Sequence, residues 1–191
     1  MWAERLRDGA QIVIRPIGPQ DRSELEAGME RLSPESRYRR FFTPASRLSA
    51  SQLRYLTEVD HRDHEALVAL EPETGHGIGV ARFVRSPADR DLAEVAVAVA
   101  DPWHGRGVAT ALLNRLTERA RAEGIRRFSA EILAENQPML DLIDDIGSVT
   151  MRSGGHGRVE AELPAEGTGT VLRETLRAAA RGLLRMPHLM R

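Results

Sequence analysis

The stretch from Leu92 to Ala122 limits what this chain can become more than any other. From Leu92 to Ala100 the residues alternate, with Glu94, Ala96, Ala98 and Ala100 on one face and Val95, Val97 and Val99 on the other. Such a strand has a valine face to bury and a face of small side chains bearing one carboxylate. Asp101-Pro102 ends it. His104-Gly105-Arg106-Gly107-Val108-Ala109 then leads into a long helix, with Val108, Ala111, Leu112, Leu116 and Ala120 at helical spacing and Gly124 as its C-terminal cap. Glycines ahead of a helix let the backbone approach a ligand closely, and the amides of the first turn favour an anion. A phosphate-bearing ligand is the expectation. Thr110 stands where the dinucleotide-binding fingerprint needs its third glycine, so that class fits poorly.

The elements around this unit point to a mixed α/β domain. Gln11–Arg15 reads as a first strand, stopped by Pro16. Helical spacing from Gln20 to Leu32 places Leu25, Met29 and Leu32 on one face, and Ser33-Pro34 opens a second helix carrying Tyr38, Phe41 and Phe42. Ser49 or Ser51 caps a third, with Leu53, Leu56 and Val59. Strands are expected at 66–70, 78–84 and 128–132, a helix at 137–145, and a hairpin from 149–153 and 158–163 around Gly154-Gly155-His156-Gly157. An order of strand, helices, three strands, helix, strand, helix and hairpin cannot give a wholly parallel sheet. The single domain is placed at 1–163, a linker at 164–170, and an arginine-rich amphipathic helix at 171–191. That helix has Arg173, Arg177, Arg181 and Arg185 every four residues, and it is expected to dock on its own domain or on a second copy, giving a possible homodimer.

Composition narrows the chemistry. All 27 basic residues are arginine, and there is no cysteine. Without lysine there is no P-loop clamp and no Schiff base, and without cysteine no thiol nucleophile or cysteine-ligated zinc. A net charge of −1 gives no electrostatic reason to expect a nucleic-acid partner. No apolar run approaches the roughly 18 residues of a membrane span, and the first residues lack a signal-peptide core, so the expectation is a cytoplasmic protein without membrane contact. His61-x-x-His64, with Asp60 and Asp63, has metal-type ligands but lacks a third anchored partner, so no metal is expected.

The segment His104-Gly105-Arg106-Gly107-Val108-Ala109 resembles the signature loop of the GNAT acetyltransferases, and Asn136 with Met139 and Gly147 resembles that superfamily's asparagine-to-glycine segment. Ile14-Arg15-Pro16-Ile17, Leu32-Ser33-Pro34-Glu35-Ser36, Arg40-Phe41-Phe42, Leu56-Thr57-Glu58-Val59-Asp60, His64-Glu65-Ala66-Leu67-Val68-Ala69 and Ala93-Glu94 resemble the acetyltransferase domain of bacterial protein-lysine acetyltransferases. The likeness covers about residues 11–163. It implies a mostly antiparallel twisted sheet of about seven strands flanked by helices, with a splayed central strand pair. In larger relatives this domain is joined to a cyclic-nucleotide-binding or acyl-CoA-synthetase-like region; neither has room here, so such regulation is expected to be absent or supplied in trans.

The resemblance also implies the site. Acetyl-CoA is the expected co-substrate, with His104, Gly105, Arg106, Gly107, Val108 and Ala109 at its pyrophosphate. Ala96, Val97, Ala98 and Val99 offer backbone to the acetyl carbonyl and pantetheine, and Asn136 lies beside the pantetheine arm. Glu94 matches the glutamate assigned as general base in the protein-acetylating branch, with Glu131 and Glu135 as alternatives. His104 replaces the usual glutamine or arginine. Ser148 follows Gly147 where phenylalanine is common, and Ile143 stands where many members carry a tyrosine thought to protonate the thiolate; Tyr38 and Tyr55 lie elsewhere in sequence. The expected partner is a protein with an accessible lysine. A small-molecule amine acetyltransferase and a non-catalytic acyl-CoA-binding regulatory module remain as alternatives.

Overall fold

The computed structural model describes residues 1–31, 47–133, 150–155, 158–165 and 184–185. Its strands are β1 (Trp2–Arg5), β2 (Gln11–Pro16), β3 (His64–Leu70), β4 (Gly77–Arg85), β5 (Leu92–Val99), β6 (Arg127–Leu133), β7 (Thr150–Gly155), β8 (Arg158–Pro164) and β9 (Leu184–Arg185), and its helices are α1 (Arg22–Arg31), α2 (Ala50–Thr57) and α3 (Val108–Ala122). They form one sheet in the order β1-β2-β3-β4-β5-β6-β8-β7, with β9 on β6. Among the described strands the β5–β6 ladder alone is parallel. The mixed, mostly antiparallel α/β fold is therefore as expected, with nine strands in place of about seven. One of the two additional strands, β1, comes ahead of the expected first strand and pairs with it from Trp2↔Ile14 to Arg5↔Gln11.

Local chemistry sets the boundaries. Ser49 caps α2, its hydroxyl accepting from the Gln52 amide at 3.2 Å while the Gln52 side chain accepts from the Ser49 amide at 2.8 Å. Gly124 closes α3 at φ +79°. The helix expected from Gln20 starts at Arg22, because Pro19–Asp21 forms a 3-10 turn first. The Asp21 carboxylate holds that turn by accepting from the Gly18 amide at 2.8 Å and from Arg15 at 2.6 and 2.7 Å.

The strand period sorts two faces. Val95, Val97 and Val99 pack with Leu112, Leu113, Leu116 and Ala120 of α3 in the main core. Full burial of each leucine there is worth about 1.5–3 kcal/mol. Gly79 marks the tightest approach of β4 to α3: an added Cβ would lie 3.1 Å from the Ala98 carbonyl and 3.1 Å from Leu112. On the opposite face, α1 and α2 cover β3 and β4. Ala165, just past β8, is buried and its amide donates to the Arg126 carbonyl at 2.7 Å, so the start of the Pro164–Gly169 stretch packs in the domain. The helix opened by Ser33-Pro34 and the one expected at 137–145 lie outside the described residues, as does the expected 171–191 helix apart from Leu184–Arg185, which forms β9 instead, held in the sheet by backbone pairing with Glu131 and Ile132. No helix among the described residues is long and apolar enough to cross a membrane.

Candidate active site

The central strand pair parts at Glu94. The β5–β6 ladder runs Leu92↔Arg127, Ala93↔Phe128, Glu94↔Ser129 and goes no further. Beyond Ser129, the edge of β6 turned towards β5 pairs instead with β9, Glu131↔Arg185 and Ile132↔Leu184. Past Glu94, β5 therefore continues towards the glycine loop without a β6 partner, and the carboxylate stands at the vertex.

A polar group surrounds that vertex on the face away from α3. His64 pairs with Val84, and Val84 with Glu94, so His64 and Glu94 flank one position of β4. Arg82, two residues along β4, lies diagonal to both and is buried. Its Nη1 lies 3.2 Å from His64 Nε2, and its Nη2 donates to the Leu56 carbonyl at 3.3 Å. The guanidinium can only donate, so Nε2 accepts and the ring proton sits on Nδ1. Burial, reinforced by Arg82, pushes the His64 pKa down to about 4. Tyr55 leans over the imidazole with ring centroids 5.0 Å apart. Its phenol is pushed up, chiefly by burial; Arg82 opposes the shift and Glu94 adds to it. Both charges thus reach Tyr55.

Tyr55 and Arg82 were not found as site residues from sequence. Between Tyr55, near the end of α2, and Glu94, near the start of β5, lie the strands β3 and β4, so nothing local links them. Arg82 did leave a signal, being an arginine in the interior of an apolar strand, between Val80 and Val84 on one face.

The glycine loop stands at the far end of β5. Asp101–Trp103 forms a 3-10 turn, Gly105 and Gly107 take φ +74° and +101°, and Gly107 is the N-cap of α3 with no side-chain cap. A Cβ at either glycine would meet no atom within 4 Å. The Val108 and Ala109 side chains are buried in the core, so at these two positions the helix start presents backbone outward. This cradle fits a diphosphate: left-handed glycines, space above them and a helix start. His104 folds back, donating from Nε2 to the Val99 carbonyl at 2.8 Å, which ties the loop to the end of β5. Arg106 stacks over Trp103 at 3.9 Å and donates from Nε to Asp8 at 2.5 Å.

Ala96 and Ala98 share the face of Glu94, while Val97 and Val99 pack under α3. Between β4, the end of β5, α1 and α2 lies an apolar cavity of about 90 Å³, lined by Leu25, Met29, Leu56, Val80, Arg82, Ala98 and Ala100 among others. Asn136, Glu135, Ile143 and His156 lie outside the described residues, as does the Glu131 side chain. No metal-binding cluster occurs among the described residues. Asp60 Oδ1 instead accepts the amides of Arg62, Asp63 and His64, and His61 Nδ1 bonds Glu65 at 2.7 Å.

Comparison with known proteins decides the family. The family model described as Acetyltransferase (GNAT) family matches residues 29–147. The chain belongs to the GNAT acetyltransferase family. It is 35% identical over 161 residues to Acetyltransferase Pat of Mycolicibacterium smegmatis, covering 84% of this chain and 48% of that protein. It therefore spans about half the length of that relative. It is 33% identical over 153 residues to Acetyltransferase PA5475 of Pseudomonas aeruginosa, covering 79% of this chain and 82% of that one. Among solved structures, the GNAT domain of S. lividans PAT superposes with a TM-score of 0.75 at 38% identity, covering 85% of this chain and 96% of that domain. In this GNAT chain the glycine loop and the parting of β5 from β6 lie towards opposite ends of β5.

Proposed function

We propose that this chain transfers acetyl from acetyl-CoA to the side-chain amine of lysine in another protein, with Glu94 as general base. The observation that carries this reading is the position of Glu94: it ends the β5–β6 ladder, on the strand that leads to the glycine loop. The five residue-to-residue steps of strand from Glu94 to Val99 span about 17 Å, a length suited to an extended phosphopantetheine arm between a diphosphate at the loop and a thioester near Glu94.

Bound acetyl-CoA would supply an activated carbonyl carbon for the incoming amine. The residues of the chain do the rest. The amides at the start of α3 would hold the diphosphate, and Ala96 and Ala98 leave room on the transfer face. A lysine amine with a pKa of about 10.4 is neutral at pH 7 only about once in 2,500, a handicap of about 4.6 kcal/mol. Glu94 would take that proton, directly or through water, before the neutral amine attacks; the new amide C–N bond forms at the expense of the thioester C–S bond, and the departing thiolate of CoA takes up a proton. Similarity to Acetyltransferase Pat supports the acetyl-transfer reading, and the absence of any lysine in the chain leaves none of its own side chains to accept.

The test is calorimetric titration with acetyl-CoA, followed by measurement of thiol release with lysine-containing proteins and with small amines. Binding with release on proteins supports the proposal. Release on small amines alone makes the chain a metabolite acetyltransferase. Binding without any acceptor makes it an acyl-CoA-binding module, and no binding at millimolar acetyl-CoA overturns the reading altogether.

A further inference from the structure

We propose that Asp8, in the turn between β1 and β2, is a positioning residue for the glycine loop, acting through Arg106 to hold the loop ready for the diphosphate of acetyl-CoA. The inference rests on the reading of that loop as the diphosphate cradle; the tie between the hairpin and the loop does not.

Gly105 and Gly107, at φ +74° and +101°, give the loop its shape but no grip on the rest of the protein. Space is open above both, and Gly107 has no side-chain cap. Glycine loses more freedom on ordering than any other residue. A ligand that had to order these two glycines itself would bind more weakly for it. Arg106 carries the side chain between them. It is the handle by which the fold can fix the peptides on either side.

That handle is held at two points. The guanidinium stacks over Trp103 at 3.9 Å, and Nε donates to Asp8 Oδ2 at 2.5 Å. Trp103 belongs to the 3-10 turn just before the loop and packs against the core. Asp8 lies 98 residues away in sequence, so this second hold is made by the fold.

Asp8 is itself fixed. Its Oδ1 accepts the Ala10 amide at 3.0 Å. The Leu6 amide donates to the Ala10 carbonyl at 2.8 Å and the Gly9 amide to the Leu6 carbonyl at 3.1 Å, closing the turn beside the buried Leu6. Further along the hairpin, Glu4 accepts from Arg115 of α3 at 2.7 and 2.8 Å. The hairpin thus grips both α3 and the loop that opens it.

Charge alone gives the opposite expectation. An anion beside a diphosphate site repels the ligand, so a purely electrostatic Asp8 would weaken binding. An exposed ion pair also adds little to stability. What the carboxylate supplies is a fixed place for Arg106, and through it for the loop.

The experiment is calorimetric titration of the full chain with acetyl-CoA in wild type, Asp8→Asn, Asp8→Glu, Arg106→Met and the double variant. Asparagine can still accept the Ala10 amide but offers Arg106 no charge. Asp8→Asn is expected to weaken acetyl-CoA binding about five- to tenfold, with the thermal midpoint within about 2 °C of wild type. Asp8→Glu should recover part of the loss. Added to Arg106→Met, Asp8→Asn should cost no more than about twofold, because the carboxylate then has nothing to hold. Gly9→Ala, which strains the same turn but keeps the carboxylate, should bind as wild type does. In acetyl transfer to a lysine-containing protein, the loss in Asp8→Asn should appear in the KM for acetyl-CoA, with kcat within about twofold. S-acetylpantetheine, which lacks the diphosphate, should serve Asp8→Asn and wild type equally well. Unchanged or tighter acetyl-CoA binding in Asp8→Asn overturns the proposal. So does an equal loss in the Arg106→Met background, with Gly9→Ala or with S-acetylpantetheine. A wild type that binds no acetyl-CoA overturns the diphosphate reading, and the proposal with it.

Discussion

Glu94 and Ser129 form the last pair of the parallel ladder between β5 and β6, so the candidate base marks the point where the two strands part. The other candidate groups lie along β5 or on the strands beside it. His104 locks the far end of β5 to the glycine loop, and Arg82 and His64 lie across the adjacent strands. Each of these placements has a measurable consequence.

Gly107 at φ +101° should not tolerate a side chain without strain. Gly107→Ala is expected to lower stability by about 1–2 kcal/mol and to weaken acetyl-CoA binding by about tenfold, read by calorimetry. Gly9, at φ +88° in the turn between β1 and β2, supplies the control. Gly9→Ala should cost similar stability and leave the affinity unchanged.

Gly79→Ala tests the contact between β4 and α3. The new Cβ would lie 3.1 Å from the Ala98 carbonyl and 3.2 Å from Val108, and the backbone oxygen has no freedom to retreat. A loss of about 1–3 kcal/mol is expected in chemical denaturation. No loss would mean that α3 sits further from the sheet.

Asp21 gives an acid-sensitive element remote from the cleft. Burial raises its pKa, but the Arg15 pair and the Gly18 amide outweigh burial and hold the carboxyl below its ordinary value. Its contribution is therefore present above the unfolded carboxylate pKa and is lost as pH falls through the folded one. At pH 7, Asp21→Asn should cost about 2–4 kcal/mol. The difference should shrink only as pH falls below the ordinary carboxylate value of 3.8 and through the lowered folded one.

How much of this could be read in the sequence depends on the range of the interaction involved. The alternation of Leu92–Val99, the Ser49 cap and the Gly124 stop are local, and each is set by residues within one strand or one turn. The glycine loop was legible for the same reason. β1 was not, because Trp2–Arg5 has no strand-like composition and is held in place by pairing with Gln11–Ile14. Nor was the group of Tyr55, His64 and Arg82 around Glu94, which comes together only when α2, β3, β4 and β5 take their places. The spacing of His64 to His61 has a metal-ligand character in sequence, whereas the fold turns His64 inward to Arg82 and His61 towards Glu65.

His64 also predicts a second acid response. Its folded pKa of about 4 lies below the ordinary histidine value of 6.5. Above pH 6.5 both states are neutral and the group contributes no pH dependence. As pH falls from 6.5 to 4 the unfolded chain takes up a proton that the folded one refuses. Stability should then drop by at most about 3 kcal/mol and level off below pH 4. In His64→Gln this component should vanish from urea denaturation measured across that range.

The central claim is tested most directly by mass spectrometry of acetyl-lysine in a protein extract incubated with acetyl-CoA and the purified chain, wild type against Glu94→Gln. Because the chain contains no lysine, every acetyl-lysine found belongs to an acceptor. The account predicts new acetyl-lysine sites with wild type and a rate lower by about 10²–10⁴ at pH 7 with Glu94→Gln, with acetyl-CoA binding retained. Equal rates for the two proteins across pH 6–9 would remove Glu94 from the mechanism, and no new acetyl-lysine with either would contradict protein lysine as the acceptor.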